Sequence, residues 1–155
     1  MNIEQATGSD AEIILRLQKL AYQSEAKRYN DNTIPPLIQT LDEMRADFKK
    51  QTILKAVMSG RIIGSVRAYL EKGTCYIGRL IVDPDYQNQG IGTRLIHHIE
   101  SRFEEADRFE LFTGHESKEA LHLYHKFGYT MFKSEQLTSH TLIFLEKRKL
   151  DSQKG

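Results

Sequence analysis

The sequence predicts an α/β (α+β) fold: a mixed, mostly antiparallel sheet of six to seven strands with helices on both faces. Three observations predict it. Residues 52–82 hold three strand-like segments separated only by Ser59-Gly60 and Lys72-Gly73, and turns that short join antiparallel neighbours. A strand-helix-strand unit across Gly90 needs a parallel crossover inside that sheet. The length of 155 residues, 39% hydrophobic and 28% charged, suits one domain with one full core.

The elements follow in chain order. Residues 1–7 alternate weakly and read as a strand. Ser9-x-x-Glu12 has the form of a capping box, in which two side chains satisfy free backbone donors of a first turn. Ile13, Ile14, Leu17, Leu20 and Ala21 follow at helical spacing, predicting a helix to about Lys27. Asn30-Asp31-Asn32 and Pro35-Pro36 break it. Thr40-x-x-Glu43 is a second capping box, and Leu41, Met44 and Phe48 mark a second helix. Strands are expected over 52–58, 61–70 and 74–82, with Asp83-Pro84-Asp85 ending the third.

Residues 90–105 carry Ile91, Leu95, Ile96, Ile99 and Phe103 on one helical face. A strand at 108–113 follows, then a short helix at 117–127 with Ser117 as its N-cap and Gly128 at the left-handed position after its end. Two strands at 129–135 and 138–146 close the order β-α-α-β-β-β-α-β-α-β-β. Residues 1–147 make one domain, and 148–155 read as a polar tail, with Lys147-Arg148-Lys149 as a solvated basic run.

Composition excludes several classes. Lys plus Arg total 22 against 21 Asp plus Glu, without the cationic excess that phosphate backbones demand, so no nucleic-acid partner is expected. The single Cys75 precludes an intramolecular disulfide and fits a reducing compartment. No basic start with an apolar run opens the chain, and no window approaches the ~18 apolar residues of a membrane span. A cytoplasmic protein without a membrane partner is the expectation, and a homodimer is the default assembly. His122 and His125 share a helix face, but two ligands make no structural zinc site, so no metal is expected.

The most informative segment is Leu80-Ile81-Val82-Asp83-Pro84-Asp85-Tyr86-Gln87-Asn88-Gln89-Gly90-Ile91-Gly92-Thr93. A strand ends, a loop follows, and two glycines open a helix. The first N–H groups of a helix have no intrahelical partner, and the peptide dipoles add positive charge there. Glycines at that point admit an anion close to the backbone, giving a phosphate or pyrophosphate cradle. Two glycines at a strand-to-helix turn also serve tight packing. No Lys follows either glycine, so this is not a P-loop, and Leu95 stands where a dinucleotide fingerprint has its third glycine.

Gln87-x-x-Gly90-x-Gly92, preceded by Leu80-x-Val82 and Pro84, resembles the acetyl-CoA motif of the GNAT superfamily of N-acetyltransferases. The resemblance implies that the backbone of Gln87, Asn88, Gln89, Gly90, Ile91, Gly92 and Thr93 holds the CoA pyrophosphate. It also implies that Leu80, Ile81 and Val82 pair with the pantetheine arm. Residues 117–129, Ser-Lys-Glu-Ala-Leu-His-Leu-Tyr-His-Lys-Phe-Gly-Tyr, resemble the second motif of that family. There Ser117 stands where the family often has an Asn that contacts the arm; Ser reaches less far.

By the same resemblance Tyr124 is the general acid that protonates the departing CoA thiolate. Thiols near pKa ~8.5 and phenols near ~10 exchange a proton only when held close and poorly solvated. On spacing alone, Tyr124 also fits a half-buried core aromatic. For the general base, the strand before the loop offers no carboxylate; Glu71, Glu110, Tyr76, His115 or a water chain are the candidates. Arg67 and Arg79 either face an acidic group of a substrate or are solvated at a strand edge. Cys75 reads as a strand residue.

The resulting expectation is an acetyl-CoA-dependent N-acetyltransferase that acts on a primary amine, of a small molecule, by direct transfer in a ternary complex. Acetyl-CoA is the acyl donor, and the motifs leave the acceptor open. The alternatives are a non-catalytic acyl-CoA-binding or sensing module, and an acetyltransferase acting on a protein amine.

Overall fold

A short strand, β1 (Asn2–Gln5), opens the chain and leads through a 3-10 turn (Gly8–Asp10) into α1 (Ala11–Ala21) and α2 (Gln23–Tyr29). Then come α3 (Pro35–Ile38), α4 (Leu41–Lys50), β2 (Thr52–Met58), β3 (Arg61–Glu71) and β4 (Thr74–Val82). A 3-10 turn (Pro84–Tyr86), α5 (Ile91–Ser101), β5 (Arg108–Gly114), α6 (Lys118–Lys126), β6 (Thr130–Gln136) and β7 (Thr141–Arg148) complete the order. The computed structural model describes residues 1–149.

The strands form one seven-stranded sheet in the order β1-β2-β3-β4-β5-β7-β6. Only β4 and β5 pair in parallel, as the crossover through α5 requires. The expected mixed sheet with helices on both faces is thus the observed architecture.

Several local expectations change. The first cap belongs to Thr7 and Asp10, not Ser9 and Glu12: the Asp10 carboxylate accepts from the Thr7 N–H at 2.9 Å. Lys55 on β2 pairs with the same carboxylate at 3.0 Å and anchors that turn to the sheet. The first helix is not continuous to Lys27. Tyr22 leaves helical geometry at φ −85° and ψ 2°, and α2 restarts in its wake. Pro35-Pro36 starts a one-turn helix instead of only breaking one, since proline presets the φ of a first helical residue. The Thr40 and Glu43 box forms as expected, with bonds of 2.8 and 3.2 Å.

Helix α5 stops at Ser101, short of 105, and β7 runs on to Arg148 because Arg148 still registers opposite Arg108. Lys147 is therefore no solvated tail residue. Its Nζ pairs with Glu100 at 2.5 Å and lies 4.9 Å from the centre of the Tyr129 ring. The remainder of the expected tail, from residue 150, lies outside the described residues.

Two apolar clusters sandwich the sheet. One packs Leu95, Ile96 and Ile99 of α5 against Leu54, Ile63, Val66, Cys75 and Leu111. Leu95, Ile96 and Ile99 are fully buried, and burying each such side chain contributes about 1.5–3 kcal/mol. The other joins Ile14 and Leu15 of α1, Met44 of α4 and Ile53 of β2.

Candidate active site

The parallel pairing of β4 with β5 is brief. It holds at Thr74↔Arg108, Cys75↔Phe109 and Tyr76↔Glu110, and then the two strands part. The cause lies in β4. Between Ser65 and Arg67 of β3 stands one residue, while the matching stretch of β4, between Ile81 and Gly78, holds two, Arg79 and Leu80. Such an extra residue is a β-bulge, which bends its strand and sharpens the twist. Arg79 sits in it at φ +49°, left-handed backbone that is strained for a long side chain.

The bulge also resets which residues face which way. Leu80 and Val82 come to the α5 face with Cys75 and Ile77. Arg79 and Ile81 turn to the opposite face, where they meet Ile14, Gln18, Met44 and Arg67. Of the three strand residues expected at the pantetheine arm, Leu80 and Val82 therefore share a face that Ile81 does not.

Strand β4 then delivers the glycine loop. Asp83 caps the 3-10 turn by accepting from the Asp85 N–H at 2.9 Å. Gln87, Asn88, Gln89 and Gly90 are exposed, and Asn88 and Gly90 take left-handed φ of +64° and +79°. Gly90 is the N-cap residue of α5, with no side chain to close the helix end, and a Cβ there would meet nothing within 4 Å. The loop thus presents an uncapped helix N-terminus to open space, the arrangement that binds anions. Gly92 faces the apolar side: a Cβ would lie 3.7 Å from Leu80 and 3.9 Å from Leu123. The Ile91 side chain is core, 3% exposed, so only its backbone can serve a ligand.

Tyr124, on the buried face of α6, packs 6.1 Å from the Tyr129 ring at a tilt of 58°. Among the described residues its hydroxyl has no hydrogen-bond partner. Burial pushes the phenol above its ordinary value, with Tyr22 and Glu25 of the first helical pair adding to the rise. The hydroxyl therefore holds its proton throughout the neutral range. Tyr129 has a different task. Its hydroxyl donates to Glu100 at 2.6 Å, and burial and that carboxylate push its pKa up.

Ser117 occupies the N-cap position of α6 but makes no side-chain cap bond. Its hydroxyl, on a residue 3% exposed, donates to Glu25 at 2.9 Å and lies 2.9 Å from the Tyr29 hydroxyl. The Tyr29 hydroxyl also accepts from the Glu116 N–H at 2.9 Å. Gly114 makes this approach possible, since a Cβ there would stand 2.2 Å from the Tyr29 oxygen.

Glu25, whose Oε1 pairs with Arg28 at 2.5 Å while its Oε2 accepts from Ser117, is the carboxylate of this cluster that sequence reasoning passed over. Its signal was present: Tyr22, Glu25 and Tyr29 fall at i, i+3 and i+7, one stripe of a helix. Of the four expected base candidates, Tyr76 and Glu110 stand at the last parallel pair and the His115 ring lies 5.8 Å from that of Tyr29. Glu110 is paired with Arg108 at 2.8 Å. Glu71 is exposed at the far end of β3. Tyr76 stacks on Tyr69 at 5.2 Å, and His115 Nδ1 accepts from the Thr141 N–H at 3.1 Å. Cys75 is buried in β4, which pushes its thiol up to about 12 and makes it a poor nucleophile. Among the described residues no group of three metal-ligating side chains is placed to hold an ion, and no helix is long and apolar enough to cross a membrane.

Solved structures share this fold. The chain superposes on the PaiA N-acetyltransferase of Thermoplasma acidophilum, determined in complex with coenzyme A, with a TM-score of 0.79 and 16% identity over 96% of this chain and 99% of that one. Protein smu.2055 of Streptococcus mutans gives 0.82 at 17% identity over 96% and 99%. The ribosomal-protein-S18-alanine N-acetyltransferase of Escherichia coli gives 0.79 at 15% over 95% and 92%. A curated relative, UPF0157 protein YqkA of Bacillus subtilis, is 29% identical over 118 residues, 75% of this chain. The chain spans about a third of that relative's length, 33%. The family model described as "Acetyltransferase (GNAT) domain" matches residues 18–145, from α1 through the opened strand pair and glycine loop into β7. On that match, over most of its length, the chain belongs to the GNAT acetyltransferase family.

Proposed function

We propose that this acyltransferase moves the acetyl group of acetyl-CoA directly to the primary amine of a small molecule, both held in one ternary complex. The observation that carries the reading is the parting of β4 from β5 after Tyr76↔Glu110, immediately before an uncapped glycine loop. A pantetheine arm can lie in the opened pair along Leu80, Ile81 and Val82, taking backbone bonds that β5 no longer makes. The pyrophosphate then falls at residues 87–93, where the free N–H groups of the α5 start are directed. Positioning both reactants supplies much of the rate.

The chemical step follows from the groups present. The neutral amine nitrogen attacks the thioester carbon, and a backbone N–H of the bulged strand stabilises the oxyanion. The C–S bond breaks, and the sulfur leaves with the Tyr124 proton. The amine sheds its own proton toward Glu25, directly or through one water, and Glu25 is held in place by Ser117. Glu25 gives up its proton to solvent and the phenolate takes one back from solvent as the products leave, which restores both groups. Ser117 thus serves the site through Glu25 as well as beside the arm.

The test is acetyl-CoA-dependent thiol release with a panel of small primary amines, run beside a thermal shift with acetyl-CoA alone. A shift with amine-dependent release supports the reading. A shift with no release from any amine favours a binding module, and no shift removes the reading.

A further inference from the structure

Arg67 and Arg79 do not lie at a strand edge. Both rise from the middle of the sheet on the α1 face, Arg67 at 5% exposure and Arg79 half-buried. They share a small polar cluster with a charge mismatch. Arg67 donates to Asp47 at 2.6 Å, and the same Asp47 oxygen accepts from the Gln39 amide at 2.5 Å. Gln39 Oε1 in turn accepts from Gln18 at 2.9 Å, Arg79 at 2.7 Å and Arg67 at 3.4 Å. Two guanidiniums therefore meet one inward carboxylate. Glu43, on the same helix as Asp47, is exposed and committed to the Thr40 cap.

Among the described residues Arg79 has one acceptor, a neutral amide oxygen, for its five N–H donors. Burial and the Arg67 charge both lower the Arg79 pKa, as expected of a cation lacking an anion. A half-buried guanidinium without an anion is costly, and the fork geometry of arginine matches a carboxylate with two parallel bonds.

The location links this charge to the proposed chemistry. Gln18, Tyr22 and Glu25 fall at i, i+4 and i+7 along α1 and α2, and the Gln18 amide bonds the same Gln39 oxygen as Arg79, so the stripe that carries Glu25 begins at the Arg79 cluster. One end of this run is a cation with a vacant fork. The other end holds the carboxylate Glu25.

We propose, resting on the acyltransferase reading above, that the acceptor is an amino-acid-like molecule whose carboxylate pairs with Arg79 and the Tyr22 hydroxyl while its amine lies at Glu25. Arg79 is then a specificity-determining residue. One unmatched positive charge suits a monoanion, so a carboxylate is favoured over a phosphate dianion.

The experiment titrates the twenty common amino acids into protein saturated with CoA by calorimetry, and assays each for thiol release with acetyl-CoA. Amides of the amino acids that bind, and O-phosphoethanolamine, are run in parallel. A thermal shift with acetyl-CoA alone monitors the underlying reading. We expect at least one amino acid to bind and turn over, with its amide at least 10-fold poorer in kcat/KM. Arg79→Gln erases that preference, raising KM for the acid at least 10-fold more than for the amide. Arg79→Lys keeps part of the preference, and the acid-to-amide ratio of the wild type stands even if a variant fails to fold. An amide used as well as its acid overturns the proposal. So does binding of O-phosphoethanolamine alone, or failure of every amino acid while acetyl-CoA still binds; these outcomes leave the acyltransferase reading standing. Failure of acetyl-CoA to bind overturns both.

Discussion

The Ser117 hydroxyl donates to Glu25 at 2.9 Å across 92 residues of sequence. One bond ties the start of α6, the helix that carries Tyr124, to α2, the helix that carries Glu25. Tyr29 reinforces it by bonding the same hydroxyl. Glu25→Gln keeps the shape and the acceptor for Ser117 but cannot take a proton. We expect kcat to fall about 10²-fold or more, within the usual worth of an acid-base group, with acetyl-CoA affinity unchanged. Ser117→Ala should lower kcat less, because the carboxylate remains but is looser. Steady-state kinetics beside acetyl-CoA binding decide it; a normal kcat in Glu25→Gln removes the residue from the step.

Tyr124→Phe removes a hydroxyl without a protein partner among the described residues, so stability should move little. If the phenol supplies the thiolate's proton, kcat drops ~10²–10⁴-fold while acetyl-CoA affinity holds. The raised pKa adds a pH signature. The phenol stays protonated beyond its ordinary ~10, so Tyr124 imposes no alkaline fall in rate below that pH. A pH-rate profile from 6 to 10 checks this, and an unchanged rate under conditions where chemistry limits dismisses the general acid.

The cradle can be tested by choosing a residue that tolerates its backbone. Gly90 stands at φ +79°, where most side chains cost roughly 1–2 kcal/mol and Asp or Asn cost less. Gly90→Glu would confuse strain with repulsion. Gly90→Asp should fold, because Asp also caps helices, yet place negative charge where the pyrophosphate belongs. A loss of at least ~10-fold in acetyl-CoA affinity, about 1.4 kcal/mol, is expected, with Gly90→Asn losing less. Equal affinity in folded wild type and Gly90→Asp would place the pyrophosphate elsewhere.

Cys75 makes stability depend on alkaline pH. Its folded thiol is pushed up to about 12 by burial, then by Glu100 and Glu105, so the folded state keeps a proton that the unfolded chain loses near 9.0. With a raised folded pKa, the stabilisation is full below the unfolded pKa and declines as pH rises towards the folded one, by up to about 1.4 kcal/mol per unit. Between pH 9 and 10 the urea midpoint should fall, and Cys75→Ala, though less stable at pH 7, should show a flatter fall. A slope unaffected by the substitution would refute this.

Gly114→Ala probes the support of Glu25. The new Cβ would sit 2.2 Å from the Tyr29 oxygen, and the Tyr29 ring, stacked on His140 at 4.2 Å, has little room to withdraw. Overpacking of this kind costs about 1–3 kcal/mol. At about 2–4 °C per kcal/mol for a chain of this size, Tm should fall by several degrees, and kcat should fall with it as the Ser117 bond is disturbed. An unchanged Tm would mean that Tyr29 moves freely.

Much of the architecture was legible because it depends on local signals. The two-residue turns at Ser59-Gly60 and Lys72-Gly73 dictate the antiparallel meander, and both glycines take positive φ. The apolar face of α5 was visible from spacing, and so was the glycine loop, whose resemblance to the family motif anticipated the family. The break at Tyr22 was not legible, since neither Pro nor Gly marks it. The Thr7 and Asp10 cap displaced the Ser9 box because Lys55, 45 residues away, holds Asp10.

By itself, then, the sequence determined the strand and helix types, the crossover, the glycine loop and Tyr124 on the helix after β5. Those features follow from periodicity, turn chemistry and helix-end electrostatics, which act within a few residues. Only the tertiary structure decided which side chains gather beside the opened strand pair. In a regular strand Arg79 would share a face with Cys75 and Ile77 beneath α5. The bulge, which exists only as a mismatch between β3 and β4, turns it to the other face to meet Arg67 and Gln39. The helix stripe of Tyr22, Glu25 and Tyr29 was legible, but the bond from Ser117 to Glu25, which closes a long loop, was not.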